Sequence, residues 1–107
     1  MGLFAKKKKP EDTPDFRKKK AEQIKDKRIR YITERQDESD SVIGKNGGFI
    51  VKDGVLSVYS EEKTLFSCTV TELSMSELLS LEGIILEGND IVSGGKKRKI
   101  IAYYVYY

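Results

Sequence analysis

From residue 49 onward, apolar and polar residues alternate in short runs broken by glycine. Phe49-Ile50-Val51-Lys52 and Val55-Leu56-Ser57-Val58-Tyr59 flank Asp53-Gly54. Both turn positions need positive φ, so the segment predicts a β-hairpin. Ser60-Glu61-Glu62-Lys63 makes the next turn and Thr64–Val70 a third strand, with Phe66, Cys68 and Val70 on one face. The period then changes. Ser74 followed by Glu77 matches a capping box, and Leu73 and Leu78 stand where a hydrophobic staple would place them. A two-turn helix is therefore predicted from about Met75 to Leu81, with Gly83 as its stop. Gly83–Ile91 and Lys97–Tyr107 predict a last hairpin around Ser93-Gly94-Gly95, and Gly44–Gly48 reads as an opening loop.

The final strand is apolar on both faces. Ile100, Ala102, Tyr104 and Tyr106 alternate with Ile101, Tyr103, Val105 and Tyr107. A half-exposed antiparallel strand should carry polar residues on one side, so something must cover both. The short helix can take one face; an N-terminal helix or a second chain must take the other.

Before residue 42 the pattern is different. Met1 to Asp12 is poor in apolar residues and predicts a disordered stretch. Thr13-Pro14-Asp15 is a helix start, with an N-cap, a proline at the first helical position and an acid in the first turn. The apolar residues that follow, Ala21, Ile24, Tyr31 and Ile32, form a weak stripe, and a helix over about 14–36 is expected. The alternation of Ile29, Tyr31 and Thr33 with Arg28 and Arg30 supports a competing strand over 28–33. Asp37–Ser41 reads as an acidic linker. The expected architecture is α+β: residues 1–41 as a basic arm carrying a charged N-terminal helix, and residues 42–107 as a small domain with a five-stranded antiparallel sheet in the order β-β-β-α-β-β.

Charge sharpens this division. The 107 residues carry a net +3. Residues 1–35 hold 13 Lys and Arg against six acids, whereas residues 42–107 hold seven bases and eight acids. An asymmetry of this kind fits attraction to a polyanion, and equally a solubilising tail. A 66-residue folded part would bury only roughly 60% of its unfolded surface.

The chemistry available is narrow. The chain has no His and a single Cys68, so His-based catalysis and an internal disulfide are excluded. Cys68 on its strand face fits a small core hydrophobe. Leu3-Phe4-Ala5 is too short for a signal-peptide core, and a cytoplasmic setting is expected. Glu87 and Asp90 could bind a divalent ion only weakly, and neither a cofactor nor a small-molecule substrate is inferred.

Two kinds of binding residue remain. Lys6, Lys7, Lys8 and Lys9, with Arg17, Lys18, Lys19 and Lys20, are candidates for non-specific contacts with nucleic-acid phosphates. The same lysines beside Leu3 and Phe4 could touch an anionic membrane surface. Lys96, Lys97, Arg98 and Lys99 beside Gly94-Gly95 are a second phosphate candidate, though the spacing is not that of a P-loop. Tyr103, Tyr104, Tyr106 and Tyr107 are candidates for a protein interface or self-association. Phe16 and Tyr31 stand too far apart in sequence to make a base-stacking platform. The expected function is a non-enzymatic binding or adaptor module contacting protein through the Tyr-rich sheet, with non-specific nucleic-acid binding as the alternative.

Ser41-Val42-Ile43-Gly44-Lys45, Asp53-Gly54-Val55, Ser80-Leu81-Glu82-Gly83 and Ile101-Ala102-Tyr103-Tyr104 follow a lysine-rich start after Met1-Gly2-Leu3-Phe4. This series resembles a group of short proteins of anaerobic Gram-positive bacteria. The resemblance implies a bacterial cytoplasmic setting and no activity.

Overall fold

The computed structural model describes residues 14–61 and 63–105. The expectations for Lys6 to Lys9, the Thr13 cap, Tyr106 and Tyr107 lie outside those residues. One helix, α1 (Pro14–Ile24), precedes seven strands: β1 (Arg28–Gln36), β2 (Ser39–Lys52), β3 (Val55–Ser60), β4 (Lys63–Thr69), β5 (Ser74–Glu77), β6 (Gly83–Asp90) and β7 (Lys96–Tyr104). They form one sheet in the order β4-β3-β2-β1-β7-β6-β5, and every pairing is antiparallel. The fold is α+β, as the residues suggested, but the five-stranded sheet is corrected to seven strands.

Both additional strands come from segments expected to be helical. The helix predicted over 14–36 stops at Ile24, and Arg28–Gln36 pairs with β2 on one side and β7 on the other. Two ladders and the burial of Ile29 and Ile32 outweigh what a weakly amphipathic helix could offer. Ile29 and Ile32 both face inward although three residues apart. The register shifts against β7 between Ile29 and Tyr31, and against β2 between Ile32 and Thr33, which resets the alternation. The acidic linker becomes the turn at Asp37, where φ is 58°, and the start of β2. The expected boundary at residue 41 falls inside β2.

The predicted helix over 75–81 is likewise a strand and a loop. Ser74–Glu77 pairs with β6 and buries Met75, whereas two isolated helical turns would lack stability of their own. Gly44–Gly48 is not a loop but the bend of β2. A Cβ on Gly47 would fall 1.7 Å from the Tyr59 carbonyl oxygen, so only glycine lets β2 approach the paired β3 this closely. The Asp53-Gly54 hairpin forms as expected, with φ of 53° and 76°.

The sheet curls until its two ends meet. Going around, the strands run in sequence order, with the break between β4 and β5. Those two strands run in the same direction, and only a 3-10 turn at Val70–Glu72 joins them, far too short for a parallel crossover. β4 instead lies across β6, and a Cβ on Gly88 would come within 2.7 Å of the Cys68 sulfur. Phe66, Leu56, Leu73, Ile84, Leu86 and Ile100 fill the interior without exposure to solvent. α1 inserts Ala21 and Ile24 into the same core and contacts the 3-10 turn, β2 and β5. It is tied down by Arg17 donating to the Thr71 carbonyl and by Lys20 lying 2.6 Å from Glu77.

The coverage of β7 differs from expectation. Ile100, Ala102 and Tyr104 face the core inside the curl. On the opposite face Ile101 is only 4% exposed although it lies outside the core cluster. Its register partners are Thr33 and Ile85, and Tyr103 stands beside it. α1 packs into the core on the inner side of β7 and so does not supply the cover expected for the other face.

Candidate functional site

The unjoined seam between β4 and β6 is closed by side chains. Asp90 is fully buried at the end of β6 and accepts from the backbone N–H of Ser67 at 2.9 Å. Arg98, on β7, donates to the Leu65 carbonyl oxygen at 2.9 Å. Ser67 N–H and Leu65 C=O belong to the free edge of β4, so the two charged groups replace a missing strand. Asp90 also accepts from Val92 N–H at 3.0 Å and from the Ser93 hydroxyl at 2.7 Å. The Arg98 guanidinium further meets Glu34 as a fork, at 2.9 and 2.8 Å.

The protonation states follow from these contacts. The hydrogen bond to Glu34 leads in holding Arg98 well above its ordinary value, against its own burial. The same bond holds Glu34 below the usual carboxylate range. Burial alone would raise Asp90, but hydrogen bonds from Ser67, Ser93, Arg98 and Val92 outweigh it and leave it lowered. This cluster is a structural tie whose groups are fully used by one another.

Above it, the β1–β7 ladder ends at Glu34 and Ile100. Beyond that pair the β1–β2 and β6–β7 hairpins diverge and leave an open groove of about 700 Å³. Arg35, Gln36 and Asp37 line one wall; Lys96, Lys97, Lys99 and Ser93 line the other.

The groove runs onto the outer face of the sheet, which the registers lay out in rows. Lys45 stands opposite Tyr31, Tyr31 opposite Tyr103, and Tyr103 opposite Gly83. The next row is Val42, Thr33, Ile101 and Ile85. Beyond it Asp40 pairs with Arg35, and Lys99 with Glu87. Alternation along β7 therefore puts Lys97, Lys99, Ile101 and Tyr103 on one side. The Tyr31 and Tyr103 ring centroids are 4.5 Å apart, tilted by 31°, and the Arg30 guanidinium lies 5.2 Å from the Tyr31 ring.

The sequence-derived candidates thus separate. Arg17 and Lys20 face the body of the protein, while Lys18 and Lys19 are exposed on α1. Of the four consecutive bases, Arg98 is committed to the seam and Lys97 lies 3.9 Å from Glu87. Lys96 and Lys99 make no ion pair among the described residues. Tyr104 is in the core, its hydroxyl donating to Glu77 at 3.2 Å and its ring under Lys27. Burial first, and then Glu77, push its phenol up. Tyr103 remains on the surface, joined by Tyr31. Sequence spacing kept Tyr31 apart from the C-terminal tyrosines; the strand alternation over 28–33 is the signal that brings it back. Among the described residues no cluster of three or more His, Cys, Asp or Glu could hold a metal ion, and no helix is long and apolar enough to cross a membrane. Compared with known proteins, the chain matches no family model, no curated protein and no solved structure.

Proposed function

We propose that the protein is a non-enzymatic, cytoplasmic binding module that holds an extended polyanion along the outer face of β1 and β7 and in the groove between the two hairpins. The observation that carries this reading is the placement of Arg35, Lys97 and Lys99 on one sheet face, with Lys96 at the adjoining groove wall. Asp40 and Glu87 offset part of this charge, but Lys96 and Lys99 stay available to a phosphate or sulfate. Such contacts release counterions, so affinity should fall steeply with salt. The test is fluorescence anisotropy with a labelled heparin oligosaccharide at 50 and 200 mM salt, for the full chain and for a Lys97→Ala/Lys99→Ala variant. Weaker binding of the variant and a shallower salt slope are expected; no binding at 50 mM salt refutes the proposal.

A second reading, protein contact, is favoured by Leu79 and Leu81. They are 103% and 70% exposed in the loop that follows the edge strand β5. It predicts self-association that survives salt and is lost in Leu79→Asp, as sedimentation would show.

A further inference from the structure

Resting on the polyanion reading, we infer that the ligand class is single-stranded nucleic acid, with bases stacking at the Tyr31–Tyr103 pair and phosphates following the basic end of the same face. A polyanion without rings needs only the lysines. The face offers something more specific. Its aromatic pair stands in the row between Lys45 and Gly83. Gly83 adds no side chain of its own in that row, but Leu78 Cδ1 lies 3.2 Å from where a Cβ on Gly83 would stand, so Leu78 fills that flank. Both tyrosines are part-exposed.

Charge complements the aromatic row at a suitable reach. Lys99 and Lys97 follow Tyr103 on the same side of β7, four and six residues away, which is about 13 and 20 Å along a strand. An extended strand of a few nucleotides covers that span, within the site sizes of about 4–16 nucleotides found on small β-barrels. A duplex keeps its bases stacked inside and would present only phosphates. Rings that accept an unstacked base therefore discriminate between the two forms. Stacking tolerates any base, so the preference concerns strandedness and not sequence.

The experiment uses the full chain and four labelled probes at 50 mM salt: oligouridylate, oligothymidylate, an RNA duplex of equal phosphate count, and the heparin oligosaccharide. The expected result is binding of at least one single strand roughly 10-fold tighter than the duplex and heparin. Comparing the uridylate with the thymidylate tells RNA from DNA. Tyr103→Ser should remove most of that advantage while leaving heparin affinity unchanged, which also reports that the variant is folded. Tyr103→Phe should retain it. Equal binding of all four probes by the unmodified protein overturns the inference and leaves the polyanion reading standing. Absence of binding to every probe overturns both.

Discussion

Replacing Asp90 by Ala tests how the curled sheet is held shut. Asp90 has no solvent exposure and accepts from Ser67 N–H, Val92 N–H, the Ser93 hydroxyl and Arg98. Removing it leaves the Ser67 N–H without a partner on the edge of β4, a loss of about 1–3 kcal/mol. It also strips Arg98 of one of two carboxylates. Breaking a buried pair outright costs about 3–5 kcal/mol, but Glu34 still meets the guanidinium, so the lower part of that range applies. The sum expected is about 4–6 kcal/mol. For a domain of this size that lowers the melting temperature by roughly 15–25 °C. The assay is thermal unfolding followed by circular dichroism at pH 7, with Asp40→Ala, at the exposed Arg35 pair, as a control that melts with the wild type. The same network sets an acid limit. Asp90 and Glu34 are both lowered when folded. Their stabilisation is therefore complete above the unfolded carboxylate values of about 4 and is lost as pH falls through the folded ones. Wild-type stability should be level from pH 7 to about 5 and fall below about 4, with a shallower acid slope in Asp90→Ala. An Asp90→Ala protein melting within a few degrees of wild type would refute the seam as the closing element.

Three further outcomes are expected. Ile24→Ala, which empties a fully buried site where α1 enters the core, should cost about 2–5 kcal/mol in denaturant unfolding, whereas a free arm would cost nothing. Gly47→Ala sets a methyl against the Tyr59 carbonyl oxygen and should exceed the about 1–3 kcal/mol of ordinary overpacking, read as a large loss of melting temperature or of folded yield. Cys68 is 1% exposed and its thiol is raised by burial first, so an aromatic disulfide reagent should label it only when denaturant opens the sheet.

Features that depend on a few adjacent residues were legible in the sequence. Asp53-Gly54 can hardly be anything but a tight turn, and Phe66, Cys68 and Val70 do face the core. The two misread segments are those whose state is set by distant partners. Ser74 and Glu77 satisfy a capping box, but β6 offers Met75 a buried position and a ladder that no local pattern announces. Arg28–Gln36 reads as helix or strand until β7 pairs with it. The site was half legible for the same reason. The run Lys96–Lys99 drew notice as one patch, yet alternation sends Arg98 to the seam and Lys97 and Lys99 to the outer face. Tyr31 joins Tyr103 only once the alternation over 28–33 is read as a strand and that strand is paired with β7.

The pairing of the first strand with the last has a kinetic consequence. Ile29 lies against Tyr104 and Glu34 against Ile100, so the ladder that joins the two halves of the sheet spans nearly the whole described chain. Contacts so distant in sequence raise the contact order and slow folding toward milliseconds to seconds. During synthesis β1 emerges early and can pair with β2 at once, but its other edge stays open until β7 leaves the ribosome. Over that interval Ile29 and Ile32 have half of their eventual cover, and the exposed edge can recruit another chain.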